Sequence, residues 1–412
     1  MIKRHIENVI DDTIKHYPII LITGPRQIGK STLLYKSFLD KGYSYVSFDD
    51  SLELAMAKND PATFLKLHKA PLIIDEVQKV PDLFPELERI VNECRLKEGN
   101  SKANGLYILS GSQRQKLLEQ SKESLSGRVA ILDMSNLSLN EIYERDNFPF
   151  FVDMERISNR INDYSLDDEK VYYHIVRGFF PQLYEDIEMK HQLFYSSYLT
   201  TYLEKDLKDL IAIEDEVRFI NFLQLLASNT GEELIYDSYA KHIGVSTNTI
   251  RNWISVLVKI GIIYLVEPYN EVSIVKRVVK RPKMYFFDTG LACYLCGIDS
   301  PQTLQKSFLK GRFFETFVFN EIRKTYMNNG EIQNLYYYRD SHQNEIDFIL
   351  IRNGVLSCIE IKSGQNFNVN DCKAFVHLDN TSLIKGNNCI ICTADKISIL
   401  SDGTLILPIS SI

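Results

Sequence analysis

The chain has 412 residues, 45% of them apolar and 25% charged, with a formal net charge of −7. A chain of this length outgrows one hydrophobic core, so roughly two to four domains are expected. The negative charge excludes a uniformly basic nucleic-acid coat and leaves only a local patch for such a partner. No apolar run approaches the ~18 residues of a membrane-spanning helix. Met1-Ile2-Lys3-Arg4-His5-Ile6-Glu7 has no apolar stretch behind its basic residues, as a signal peptide would, so a cytoplasmic location is expected.

Ile19 to Ile22 reads as a buried strand. Gly24-Pro25-Arg26-Gln27-Ile28-Gly29-Lys30-Ser31 follows and fits G-x-x-x-x-G-K-[ST]. Glycines let such a loop wrap a phosphate chain with backbone N–H groups. Lys30 would reach the β- and γ-phosphates, and the Ser31 hydroxyl would bind Mg²⁺. A helix beginning near Lys30 would aim its positive end at the same anion, so Gly24 through Thr32 is the expected nucleotide-binding segment. A plain glycine-containing turn is the alternative. Chance produces the spacing in about one chain per hundred of this length.

Tyr43 to Asp50 reads as a second strand. Pro71-Leu-Ile-Ile-Asp75-Glu76-Val77 reads as a third, delivering two carboxylates to a sheet edge. Asp75 would hold Mg²⁺, and Glu76 would polarise the attacking water. Gly105 to Ser112 is a fourth strand. Ser110 at its tip is either a sensor of the γ-phosphate or a residue of a strand-end turn. Ser124-Leu-Ser-Gly127-Arg128-Val129 precedes a strand through Leu132. Arg128 is either an arginine finger, in cis or from a neighbouring subunit, or a surface arginine. Alternating strands and helices behind a P-loop predict a doubly wound parallel sheet over residues 1–150, with ligand at the carboxyl ends of its strands.

Together the P-loop, Ile-Ile-Asp-Glu-Val, Leu-Ser-Gly-Ser-Gln and Leu-Ser-Gly-Arg-Val resemble a prokaryotic AAA-type ATPase family whose members carry a C-terminal domain of unknown function. The likeness continues through Tyr202-Leu-Glu-Lys-Asp206, Tyr285-Phe-Phe-Asp-Thr-Gly-Leu291 and Asn344-Glu-Ile-Asp-Phe348, and so covers nearly the whole chain. The resemblance implies binding of ATP and Mg²⁺, with Lys30, Ser31, Asp75 and Glu76 on Walker positions. It implies little about cellular role. By analogy with AAA-type sites, which often lie between subunits, it leaves a homo-oligomer open.

Residues 151–230 lack strand alternation and show helical spacing over Asp168–Val176, Met189–Leu207 and Glu214–Ser228, a helical lid or connector. Tyr195, Tyr198, Leu199, Tyr202 and Leu203 form a stripe expected in the core. In residues 231–288, a helix Tyr236–Ile243, a turn Gly244-Val245-Ser246, a helix Thr247–Ile260 and strands near Ile262–Val266 and Met284–Phe287 describe a winged helix. Ile250, Ile254, Leu257 and Val258 would face inward. Asn248, Thr249, Arg251 and Asn252 would face outward, where bases are read. Lys276, Arg277, Lys280, Arg281 and Lys283 cluster where a wing would touch phosphate. The other reading is a module that only packs on its neighbours, with a solvated basic hairpin.

Residues 289–412 hold a helix Phe308–Tyr326 containing Glu315, a strand Leu335–Arg339, and a hairpin of Glu345–Ile351 and Val355–Lys362. Glu360 and Lys362 alternate onto one face, and pairing would bring Asp347 beside Glu360. Carboxylates at Glu315, Asp347 and Glu360 would bind Mg²⁺, and Lys362 would orient or deprotonate water. D-x₁₂-E-x-K alone recurs about once per chain by chance. Its setting in apolar strands is more telling, because buried charges need partners. The helix–hairpin order resembles the PD-(D/E)xK nuclease superfamily, although no Pro precedes Asp347. A half-exposed charge cluster is the alternative. Cys293/Cys296 and Cys389/Cys392, among seven cysteines, read as buried thiols rather than a zinc site.

The expected function is an Mg-dependent ATPase whose nucleotide state controls a DNA-engaging winged-helix and nuclease-like tail. The rival is a regulatory ATPase whose tail is an inert scaffold for a protein partner. ATP binding without turnover is a third reading.

Overall fold

In the computed structural model the described residues are 2–111, 117, 125–161, 166–203, 216–270, 281–379 and 381–412. The strands β1 (Ile19–Thr23), β2 (Ser44–Ser47), β3 (Leu72–Asp75), β4 (Tyr107–Ser110) and β5 (Val129–Asp133) form one sheet of order β2-β3-β4-β1-β5. Every pairing is parallel, as the sequence predicts. Alternate residues feed different cores: Ile20, Ile22, Ile73 and Ile108 one, Ile19, Leu21, Ile74 and Leu109 the other. Burying each such side chain contributes about 1.5–3 kcal/mol, which is why these strands are apolar throughout. Because β4 lies between β1 and β3, Ser110 stands between the loop after β1 and the acids after β3. Helix α1 (Lys30–Phe38) leaves that loop, capped by Gly29 at φ 91°.

The middle region is helical. Helix α2 (Asp168–Arg177) and the helices His191–Tyr198 and Glu216–Ser228 occupy the expected stretches. Tyr195 and Tyr198 are buried, while the side chains of Tyr202 and Leu203 lie outside the described residues. Helix α3 (Tyr236–Ile243) ends at Gly244, φ 76°. Ser246 then caps α4 (Thr247–Lys259) by accepting from the Thr249 amide at 3.0 Å. Ile250, Trp253, Ile254 and Leu257 form its buried face, and Val258 is only half-buried. Strands β6 (Ile263–Val266) and β7 (Lys283–Phe286) pair antiparallel.

This hairpin is sewn to its neighbour. Tyr337 donates its amide to the Glu267 carbonyl at 3.2 Å and accepts from the Tyr269 amide at 2.6 Å. Its hydroxyl donates to the Arg281 carbonyl. Helix α5 (Thr289–Leu295) and the helix Pro301–Lys306 pack on α2, across the expected 288/289 boundary.

Helix α6 (Lys310–Met327) lies under a second sheet. Its strands are β8 (Leu335–Arg339), β9 (Glu345–Arg352), β10 (Val355–Lys362), β11 (Ile384–Lys385), β12 (Cys389–Cys392), β13 (Ser398–Ile399) and β14 (Leu405–Pro408). The order is β13-β14-β12-β10-β9-β8, with β11 on β10. β8, β9 and β10 run antiparallel, and β12 and β14 run parallel to β10. Val369–Leu378 is a 3-10 segment interrupted at Cys372. Cys389 and Cys392 enter different cores, as i and i+3 on a strand must. Helix α6 also docks on the first domain: Lys324 Nζ donates to the Leu137 carbonyl at 2.6 Å, and the Leu139 amide donates to Glu321 at 2.8 Å. One core therefore runs through all three regions.

Two candidate charged centres

The first centre sits at the carboxyl ends of β1, β3 and β4. Gly24 adopts φ 142°, and a Cβ there would lie 2.3 Å from the Met134 carbonyl oxygen, so only glycine fits. Gln27 takes φ 60°, a conformation costly for a side-chain-bearing residue. Pro25 and Ile28 are buried, whereas Gln27 and Thr32 are exposed, and Arg26, Gly29 and Ser31 lie between. Lys30 is 6% exposed, and its ammonium donates to the Gly24 and Pro25 carbonyls at 2.9 and 2.7 Å. Burial pushes its pKa down to about 8, with Glu76 and Asp75 opposing and Arg26 adding to the fall. A buried cation held by two neutral carbonyls is a seat for an anion.

Asp75 is buried and accepts from the Ser110 hydroxyl and, at 2.9 Å, from the Tyr45 hydroxyl. Ser110 thus orients Asp75. Glu76 takes φ 55°, and Gln78 Nε2 donates to its carboxylate. Burial, then the charge of Asp75, raises the Glu76 pKa. These residues fit a nucleoside triphosphate with Mg²⁺: the glycine-only cradle and Lys30 would take phosphate, and Ser31 and Asp75 would hold the metal, which would neutralise β- and γ-oxygen charge.

Arg4 is a further part that sequence reasoning missed. Its guanidinium donates to the Ile28 carbonyl of the loop (2.7 Å), to the Ser135 and Asn136 carbonyls (2.6 and 3.3 Å) and to Glu141 (3.0 Å). Tyr45 and Gln78 were also missed. Arg128 is placed elsewhere. It precedes β5, and its backbone carbonyl accepts from Ile19 at the start of β1, so it lies at the sheet edge opposite the P-loop. Its side chain binds Asn92 at 2.9 Å and Glu88 at 3.2 Å. The finger in cis is therefore corrected, because strand polarity carries Arg128 away from Lys30.

The second centre gathers around β9 and β10. Phe348 pairs with Ile359, which leaves Asp347 and Glu360 as neighbours one step beyond, and Asp347 Oδ2 accepts from the Ile361 amide at 2.7 Å. Lys362 donates to Glu360 Oε1 at 2.6 Å. Burial, with Asp347 beside it, pushes the Glu360 carboxyl up out of the usual range. Burial also raises Glu315, opposed by Lys283.

Lys283 corrects the wing reading. It is 2% exposed, and its ammonium lies 2.6 Å from Glu345, 3.1 Å from Glu315 and 3.9 Å from Asp347. Burial alone would lower its pKa, but Glu315 and its neighbours carry it well above the ordinary value. The Tyr285 hydroxyl also donates to Glu315, at 2.6 Å. Among the described residues no three His, Cys, Asp or Glu side chains are arranged to hold a metal ion. The three-carboxylate Mg²⁺ site of Glu315, Asp347 and Glu360 is thus corrected: two ammonium groups, a hydroxyl and an amide engage oxygens of those carboxylates.

Asn248 and Arg251 are exposed on α4, with the Arg251 guanidinium 4.5 Å from the Tyr236 ring centre. Arg281 is exposed, and Lys276, Arg277 and Lys280 lie outside the described residues.

Residues 16–143 match the AAA domain family. The amino-terminal sheet is an AAA-type P-loop domain. Residues 168–302 and 310–412 match two domains of unknown function, DUF8612 and DUF4143. Uncharacterized proteins of Mycobacterium tuberculosis and Mycobacterium bovis are each 26% identical over 351 residues, 84% of this chain and 70% of theirs. An uncharacterized Methanocaldococcus jannaschii protein is 23% identical over 314 residues, 69% of this chain and 63% of its own. A Walker-type ATPase of Pyrococcus abyssi covers 72% of this chain and 96% of its own at 13% identity, TM-score 0.43. No helix among the described residues is long and apolar enough to cross a membrane.

Proposed function

We propose that the chain is an Mg-dependent ATPase. The observation that carries this is Lys30, a buried ammonium whose hydrogen-bond partners among the described residues are the Gly24 and Pro25 carbonyls, at the mouth of a glycine-only cradle facing Asp75 and Glu76. Lys30 would balance phosphate charge. Ser31 and Asp75 would hold Mg²⁺, Tyr45 and Ser110 would fix Asp75, and Glu76, steadied by Gln78, would orient the water. Phosphate release from wild type and Glu76→Gln tests it: turnover in the variant should fall about 100-fold. Equal rates would remove Glu76 from the mechanism. In an oligomer, Arg128 would act only on a neighbouring subunit's nucleotide.

The tail is proposed to be a winged helix joined to a nuclease-like domain, engaging DNA under nucleotide control. Contact between the parts supports the control: a Cβ on Gly261 would lie 3.2 Å from Pro25 of the P-loop. Duplex DNA should give a salt-sensitive gel shift that is lost when Lys276, Arg277, Lys280 and Arg281 are neutralised. The buried Lys283 favours the second reading for the tail, an inert scaffold binding a protein partner. The absence of a shift at low salt would select it.

A further inference from the structure

Helix α1 begins with free donors. Among the described residues, no amide from Gly29 to Thr32 donates to a backbone carbonyl, and the first to do so is that of Leu33, to Gly29 at 2.9 Å. A helix start leaves such orphan amides, and they bind one phosphate chain together only when the loop aims them at one spot. The Ile28–Gly29 peptide aims the first of them. A trans peptide points its carbonyl and its N–H to opposite sides, so fixing one fixes the other.

Arg4 fixes that peptide from behind. It is 2% exposed, and its Nη1 donates to the Ile28 carbonyl at 2.7 Å. A Cβ on Gly29 would lie 3.9 Å from the same nitrogen and 3.8 Å from the Pro181 ring, so the guanidinium backs the last glycine of the loop. Its other donors are committed elsewhere. Nη2 reaches the Ser135 and Asn136 carbonyls at 2.6 and 3.3 Å, and Nε reaches Glu141 at 3.0 Å. A planar fork with donors in fixed directions spans these acceptors, and an ammonium on a flexible stem does not. Glu141 offsets the charge of Arg4, which leaves the Ile28 bond to act through geometry.

The carbonyls that anchor Arg4 are themselves held. Beside them, the Met134 carbonyl is the group that a Cβ on Gly24 would strike, and the Met134 amide donates to the Thr23 carbonyl at 2.8 Å. Asn136 Nδ2 donates to Asp288 at 2.8 Å. Asp288 is buried and also accepts from the Phe179 amide and the Tyr195 hydroxyl, each at 2.7 Å, and from the Leu291 amide at 2.9 Å. Residues 134–136 thus border the P-loop at Gly24 directly and at Ile28 through Arg4, and the helical middle region holds them in place.

We infer that Arg4 is a positioning residue of the nucleotide site: it holds the Ile28 carbonyl behind the loop so that the Gly29 amide faces phosphate, and it passes to the loop the position of residues 134–136 that Asp288 sets. This rests on the ATPase reading and deepens it, because it names the side chain that joins the cradle to the middle region. Arg4 lies behind the loop and would not touch phosphate. Its loss misaims the cradle and leaves Lys30, Asp75 and Glu76 in place, so nucleotide binding suffers more than the chemical step.

The test is ATP affinity by calorimetry and turnover at saturating ATP, both on the full-length chain, with the thermal midpoint of each variant measured alongside. Arg4→Lys keeps a positive charge beside Glu141 and loses the fork. Its affinity for ATP should weaken about 10-fold or more, with saturated turnover within about 3-fold of wild type. Arg4→Met should weaken affinity at least as much. Glu141→Gln removes the carboxylate and keeps the carbonyl partners of Arg4, so it should lower the thermal midpoint and leave affinity within about 3-fold. Asn136→Ala frees the anchor from Asp288 without touching Arg4. It should weaken affinity about 3-fold or more, and it serves if no Arg4 variant folds. Wild-type affinity in Arg4→Lys, or in Asn136→Ala where no Arg4 variant folds, would overturn the inference and leave the ATPase reading intact. Affinity that merely tracks the thermal midpoint across the variants, Glu141→Gln included, would overturn it too. A wild type that binds ATP without turnover would remove the ATPase reading and leave the affinity comparison to decide this one. No ATP binding by wild type would overturn both.

Discussion

Lys30 and Lys283 are both buried ammonium groups, and their surroundings are opposite. Lys30 has two carbonyl partners, and burial takes its pKa down to about 8. Lys283 has three carboxylates around it, and its pKa goes well above the ordinary value. The same burial penalty applies to each, so the partners decide the outcome. An under-partnered cation recruits an anion from solution. An over-partnered one is already neutralised and blocks the seat. The amino-terminal ammonium thus keeps charge that its hydrogen-bond partners do not offset, and the carboxy-terminal one is paired within the chain.

The contrast breaks most sharply at Gly24. Gly24→Ala leaves every charge in place but puts a Cβ 2.3 Å from the Met134 carbonyl oxygen at φ 142°. Nucleotide affinity, measured with a fluorescent ATP analogue, should fall more than about 100-fold, because the loop must open to accept the methyl. A loss under about 3-fold would mean that charge alone makes the cradle.

Arg4→Met comes next. It strands the buried Glu141 carboxylate and frees the Ile28 carbonyl. Breaking such a pair costs about 3–5 kcal/mol, so the thermal midpoint followed by circular dichroism should drop by on the order of 10 °C. Adding Glu141→Gln should recover part of that. No recovery would assign the loss to packing.

The smallest effect is a proton. The empty Lys30 titrates near 8, below its ordinary 10.5, and a bound anion would restore the higher value. Near pH 9 the empty side chain is mostly neutral and the ligated one charged, so binding should take up as much as one proton; near pH 6.5 it should take up none at this group. Calorimetry in buffers of different ionisation enthalpy reads this directly. Stability follows the same sign: the unfolded chain binds the extra proton between pH 8 and 10.5, so the empty protein gains stability from Lys30 as pH rises through that window.

Much of the first centre was legible because its parts are contiguous. Gly24 to Ser31 and Asp75-Glu76 carry their chemistry in local order, and the sheet needed only apolar runs to be foreseen. Arg4 was not legible: its partner Glu141 is 137 positions away, and a lone arginine near a terminus has no distinguishing neighbours. Arg128 was left open between a finger and a surface arginine, because motif order says nothing of which sheet edge a residue reaches. Lys283 was misread for the opposite reason to Arg4. Its sequence neighbours are basic, but burial is decided by β9 and α6, which follow it in the chain. Asp347 and Glu360 were placed side by side by the expected pairing of the two hairpin strands, while the lysine between Asp347 and Glu315 needed the fold.

The most direct measurement is titration of ATP with Mg²⁺ into the full-length chain, wild type against Lys30→Met. The account predicts one ATP per chain in wild type and at least a 100-fold weaker affinity in the variant. Equal affinities would contradict it and place any nucleotide site away from the buried ammonium.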